Sequence, residues 1–160
     1  LTVDTHFMDG YTSDFCKEVS DNIYLNSVAC SSYQVNEFIK WLKKQSFYDN
    51  TTIVIVGDHL SMNNYSFNDI PDNNRTVFNT FINSNESANN TNNRIFSTMD
   101  CFPTTIASLG ATIEGDRLGL GTNLFSDKKT LTEEYGLEYV NTELNKNSKY
   151  YNNCIINKKC

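Results

Sequence analysis

Nothing in this chain is long enough or apolar enough to cross a bilayer. The longest aliphatic run in its 160 residues is Ile53 to Val56, against the ~20 apolar residues that a spanning helix needs. No basic cluster stands out, and the net charge is −6 with a pI of about 4.8. That argues against a nucleic-acid partner, which requires a positive stripe to displace counterions. The same acidic field does not draw in an anionic substrate, so a bound cation would have to attract one locally. There is no Cys-x-x-Cys and hence no zinc site of that type. No glycine-rich loop opens a helix with dinucleotide or P-loop spacing, and no Ser-His-Asp context is present. A signal peptide and an initiator Met are also missing. The chain starts in mid-pattern with Leu1-Thr2-Val3-Asp4-Thr5-His6-Phe7, already strand-like, and reads as a piece of a longer protein.

What is present fits a soluble globular domain: 39% hydrophobic and 20% charged residues. The length suits a single domain over 1–160, with a short tail from about 150 to 160. Of the five cysteines, Cys16 with Cys30 and Cys154 with Cys160 are placed for two disulfides of an extracytoplasmic protein, with Cys101 left over as a small apolar residue. Five free thiols is the other reading that counting allows.

After the first strand, a loop through Asp9-Gly10 leads to about Ser20. A helical repeat follows, with Val28, Val35, Phe38, Ile39 and Leu42 on one face. Ser31-x-x-Gln34 has the form of a capping box, which allows a restart there instead of an unbroken helix from Asn22. A strand is expected over Thr52 to Val56. Strand, helix, strand of this length is a βαβ unit with parallel strands, which would bring His6 to the same sheet edge as Asp58 and His59. Beyond a polar loop over Leu60 to Asn74, Thr76 to Ile82 reads as another strand, and Ser84 to Asn93 as a surface excursion. Asp100 is placed to cap a short helix, with Pro103 in its first turn and Gly110 ending it. Gly115 to Phe125 reads as a glycine-punctuated loop, and a last helix is expected over Thr132 to Asn145.

Chemistry concentrates where the strand Thr51-Thr52-Ile53-Val54-Ile55-Val56 ends in Gly57-Asp58-His59. In open α/β sheets, ligands gather just beyond the carboxyl ends of strands. Asp and His both ligate divalent metals. Adjacent residues on a straight strand face opposite ways, so a shared ion requires an immediate turn, which Gly57 permits through its backbone freedom. The competing reading is a strand cap followed by a surface loop.

The blocks Phe47-Tyr48-Asp49-Asn50-Thr51-Thr52-Ile53-Val54-Ile55-Val56-Gly57-Asp58-His59, Phe96-Ser97-Thr98-Met99-Asp100-Cys101-Phe102-Pro103-Thr104-Thr105 and Gly115-Asp116-Arg117-Leu118-Gly119-Leu120-Gly121-Thr122-Asn123-Leu124-Phe125-Ser126, with Thr5-His6-Phe7 before them, carry a resemblance. In this order they resemble the C-terminal part of the extracytoplasmic domain of bacterial phosphoglycerol transferases and lipoteichoic acid synthases, within the sulfatase and alkaline phosphatase superfamily. The likeness covers most of the chain except the tail beyond about Tyr150. It implies an α/β sheet-and-helix domain and transfer of glycerol phosphate from phosphatidylglycerol to a cell-envelope glycan or teichoic acid. It also implies a covalent intermediate on a threonine and a divalent ion, commonly manganese. Asp58 and His59 match the family's metal-binding Asp-His pair, and His6 matches its phosphate-contacting histidine. The remaining Glu ligand and the nucleophilic Thr lie upstream in the family, in the rest of the same catalytic domain. The expectation is therefore an inactive half-site, soluble in itself, from a protein anchored at the extracytoplasmic face of the membrane.

Other candidates weigh less. Asp4 and Asp9 flank His6 but read better as turn caps. Arg117 could pair with a phosphate or serve as a structural salt-bridge partner, and Trp41 reads as packing. A sulfatase or phosphodiesterase using water as acceptor is the alternative enzyme, and a non-catalytic envelope-glycan-binding domain the alternative outside enzymes.

Overall fold

The computed structural model describes residues 12–60, 76–87 and 93–159. The chain divides into two compact units, Leu1–Asn83 and Ser84–Cys160. Both mix helix with small antiparallel sheets. The expected first strand, and with it the parallel βαβ pairing, lies outside the described residues.

In the first unit, helix α1 runs unbroken over Ile23–Leu42. Asn22 is its N-cap, the side chain accepting from the Tyr24 and Leu25 amides. The expected restart at Ser31 does not occur. The Gln34 amide turns away from Ser31 and donates to Cys30 Sγ at 3.3 Å and Ser13 Oγ at 3.5 Å, so no capping box closes. The loop before α1 is tied to it twice. A disulfide joins Cys16 to Cys30, as the first of the two expected pairs. The buried Asn26 side chain accepts from the Val19 and Ser20 amides, both at 2.9 Å, and donates to the Ser20 carbonyl at 2.8 Å. The expected apolar face of α1 is only partly covered. Leu42 is buried, but Val28, Phe38 and Trp41 are exposed, and Trp41 stacks on Phe38 with centroids 5.6 Å apart.

A 3₁₀ turn over Tyr48–Asn50 delivers the chain into strand β1, Ile53–Val56. Strand β2, Asn79–Ile82, pairs with it antiparallel, from Ile53 opposite Ile82 to Val56 opposite Asn79. Asn83 locks this register from the far end. Its φ of 59° lets its side-chain amide reach back to the carbonyls of Tyr48 (2.8 Å) and Thr51 (2.9 Å).

In the second unit, helix α2 spans Thr98–Ser108. Ser97 is the cap and Asp100 its capping-box partner at the third position, so the helix starts earlier than expected and Pro103 falls in the second turn. Gly110, at φ 87°, follows its end. The expected glycine-punctuated loop is an antiparallel hairpin of β3, Arg117–Leu118, and β4, Gly121–Thr122. Gly119 at φ 61° makes its two-residue tip possible.

The core here is polar and satisfied. Buried Asp100 accepts from the Ser97 amide (2.8 Å) and the Thr122 amide (2.7 Å). Buried Thr104 donates to the Asp100 carbonyl (2.6 Å) and accepts from the Leu124 amide (3.0 Å). The expected last helix is two, α3 over Leu131–Tyr135 and α4 over Leu137–Leu144, broken at Gly136 with φ 85° and ψ 152°. No helix among the described residues is long and apolar enough to cross a membrane.

Candidate functional site

β1 delivers Asp58 and His59 together. The Gly57 amide donates to the Phe78 carbonyl at 2.9 Å, the last rung between the strands, and the chain then bends. Gly57 does not take a positive φ, contrary to the expected reason for a glycine there. The reason is space: a Cβ would sit 3.1 Å from Val77 Cβ on the neighbouring segment.

The bend turns both side chains to one side. His59 Nε2 lies 3.4 Å from Asp58 Oδ2, with side-chain exposures of 59% and 86%. Asp58 Oδ1 accepts from the His59 amide at 2.9 Å, which is the capping role that was the competing reading. The other ring nitrogen, Nδ1, is 2.7 Å from the Leu60 carbonyl oxygen. A carbonyl only accepts, so Nδ1 carries a proton, which leaves Nε2 as the ring nitrogen turned toward Asp58. Nε2 faces a carboxylate oxygen. A carboxylate oxygen and an imidazole nitrogen at this spacing can share a proton or ligate one cation.

One further group lies at this end of the sheet. Asn79, opposite Val56, has a buried side-chain oxygen with no hydrogen-bond partner among the described residues, an unusual state for a buried acceptor. Sequence reading passed over it, and with Thr80 beside it in the strand no local pattern marked it out. His6, Asp4 and Asp9 lie outside the described residues. No group of three or more His, Cys, Asp or Glu side chains among the described residues could hold a metal ion. A pocket of about 400 Å³ lies elsewhere in the first unit, against the Cys16–Cys30 bridge, and no carboxylate or imidazole lines it.

Arg117 takes the structural alternative. Its guanidinium donates to the Lys129 carbonyl (2.9 Å) and Thr122 Oγ1 (3.3 Å), and lies 3.6 Å from Glu134. Arg94, unremarked in the sequence, is held far more firmly. It makes a two-pronged pair with Glu133, at 2.7 and 2.9 Å, and donates to the carbonyls of Leu124, Ser126 and Lys128. Cys101 is a free, half-buried thiol. Burial, reinforced by the neighbouring Asp100 charge, raises its pKa and keeps it protonated. Cys154 is disulfide-bonded; Cys160, the expected partner, lies outside the described residues.

Comparison with known proteins finds relatives over part of the chain. Phosphoglycerol transferase I of Citrobacter koseri is 40% identical over 70 residues, covering 40% of this chain. The proteins of the same name from Salmonella paratyphi B and Escherichia fergusonii are 39% identical over the same length. In each case the match spans 9% of the relative's own length. No solved structure matches the chain. Residues 2–111 match the family described as Sulfatase, a stretch that includes β1, the Asp58–His59 pair and α2, and the chain belongs to that family.

Proposed function

We propose that this chain is the metal-binding C-terminal part of a phosphoglycerol transferase. The reaction is transfer of glycerol phosphate from a phosphatidylglycerol-type lipid to a cell-envelope glycan or teichoic acid, at the extracytoplasmic face of a bacterial membrane. The observation that carries the reading is the Asp58–His59 pair, with Nε2 facing the Asp58 carboxylate across 3.4 Å. Two donors each about 2.1 Å from a shared ion stand roughly 3 to 3.5 Å apart, so the observed span fits. A hard carboxylate oxygen with an imidazole nitrogen suits manganese among other divalent ions. The ion, when bound, supplies an activated hydroxyl and neutralises charge on the phosphoryl oxygens.

Within this scheme Asp58 and His59 hold the ion, the Leu60 carbonyl keeps His59 in the ligating tautomer, and His6 holds a phosphate oxygen of the substrate. Manganese takes more than two protein ligands. The others, and the threonine nucleophile, are assigned to other parts of a longer polypeptide, so these 160 residues alone are inactive. The names of the relatives favour transfer of a phosphoglycerol group. The family's name favours the alternative, hydrolysis of a sulfate or phosphate ester with water as acceptor. The Cys16–Cys30 disulfide supports an extracytoplasmic site, since such bonds persist in oxidising compartments.

Two measurements test this. In the full-length protein, Asp58→Asn should lower kcat by at least about a hundredfold with an unchanged circular-dichroism spectrum and melting temperature. Normal turnover would remove Asp58 from the site. For the 160-residue chain, calorimetric titration with Mn²⁺ should show only weak, non-saturating heats. Tight stoichiometric binding, or phosphodiesterase turnover by this polypeptide, would overturn the half-site reading.

A further inference from the structure

The last sixteen residues differ in charge from the rest of the molecule. Asn145 to Cys160 contains four lysines, Lys146, Lys149, Lys158 and Lys159, and no Asp or Glu, in a chain of net charge −6. Spread out along the segment, the lysines make no conspicuous run. Lys146 is paired with Glu143. The other three are exposed and make no ion pair among the described residues.

Between Lys149 and Lys158 the backbone forms a closed hook. The Tyr151 amide donates to Ser148 Oγ at 3.1 Å and the Asn152 amide to the Ser148 carbonyl at 3.0 Å. Tyr151–Ile156 then turns with the wide π pitch and is closed by Asn157 and Lys159 amides donating to the Asn152 and Asn153 carbonyls. Cys154, in the middle, is disulfide-bonded. Backbone hydrogen bonding is thus met inside the hook, while Tyr150, Tyr151, Ile155 and Ile156 all stand exposed. Holding two tyrosines and two isoleucines outward on a cross-linked hook is unfavourable in water and marks a surface that something covers.

We propose that this hook docks on an anionic lipid surface. Tyrosine rings favour the headgroup layer and isoleucines the acyl boundary just below it, while flanking lysines reach anionic headgroups. Charge complementarity selects the occupant: the basic segment of an acidic molecule is repelled least, and attracted most, by a negatively charged bilayer. The inference goes beyond the metal site and does not depend on it, because the family match ends at residue 111.

The test is co-sedimentation of the 160-residue chain with vesicles, in chelator and with no turnover read. Vesicles of phosphatidylcholine containing phosphatidylglycerol should retain the protein, and added salt should release it; phosphatidylcholine alone should not bind it. Replacing Lys149, Lys158 and Lys159 together by Gln should weaken partitioning about a hundredfold, at roughly fivefold per lysine. Replacing Ile155 and Ile156 by Ser should weaken it while leaving the salt dependence in place. Equal binding to neutral vesicles, or unchanged binding by the triple lysine variant, would overturn the proposal. So would full displacement by soluble polyglycerol phosphate that binds the chain as tightly as the vesicles do, since the tail would then read a polyanion and not a membrane. Far-UV circular dichroism identifies any variant that has lost its fold, and the lysine and isoleucine sets report independently.

Discussion

At Arg94 every guanidinium proton has an acceptor, whereas at Asp58 and His59 the donors face one another in the open. The contrast separates a structural pair from a candidate site. Side-chain exposures of 9% and 17% put the Arg94–Glu133 pair largely out of water. Glu133 also accepts from the Thr130 amide at 2.8 Å and the Ile95 amide at 3.2 Å. Hydrogen bonding from Arg94, helped by those two amides, lowers its pKa from 4.5 to about 2. The sign follows directly. A carboxylate with a depressed folded-state pKa contributes stability that is complete above about pH 4.5 and is lost as pH falls toward 2. Glu133→Gln should cost about 2–3 kcal/mol at neutral pH, because it leaves a largely buried guanidinium without its counter-charge. Denaturant titrations at stepped pH check this: the gap between wild type and variant should close between pH 4.5 and 2. At this scale the Gly-Asp-His was legible, because its meaning depends on neighbours in sequence. The partners of Arg94 were not, since Glu133 lies 39 residues away.

Elements here are shaped by close approach as much as by propensity. Pro103 has no amide proton to give the Met99 carbonyl one turn earlier. Against that carbonyl sits Gly121 of β4. An added Cβ at Gly121 would overlap the Met99 oxygen and come within 2.9 Å of Pro103 Cγ. Gly121→Ala should therefore destabilise the second unit by at least about 3 kcal/mol through overpacking against backbone. Gly115→Ala is the control. Gly115 has φ 66° with nothing within 4 Å of an added Cβ, so it should lose only about 1 kcal/mol of backbone preference. Chemical denaturation of the two variants side by side measures the difference. The hydrophobic period revealed α1 and β1, and Thr130-x-x-Glu133 forms the capping box that starts α3. That period could not reveal that β3 and β4 fold back on each other, because two-residue strands are too short to carry one.

For the molecule as a whole, the disulfide acts on the unfolded chain. Cys16 and Cys30 are 14 residues apart, and closing a loop of that size removes denatured-state entropy worth about 3 kcal/mol. Reduction, or Cys16→Ser with Cys30→Ser, should lower the midpoint of denaturant unfolding by a corresponding amount, with the m-value rising as the denatured state expands. An unchanged midpoint would mean that the Asn26 hydrogen bonds alone hold the loop to α1. Family membership was likewise legible, because three ordered motif blocks survive in the chain whatever their spatial arrangement.

The amino-acid sequence by itself determined α1, β1, the place of the Asp58–His59 pair and the family. Each of these rests on residues a few positions apart or on the order of motifs. Only the tertiary structure decided which His59 nitrogen faces Leu60, the burial of the Asn79 side chain, the satisfied polar core around Asp100, and the outward face of the C-terminal hook. Those depend on which backbone carbonyl or distant side chain arrives within hydrogen-bonding reach. Chain folding sets that distance, and local propensity does not encode it.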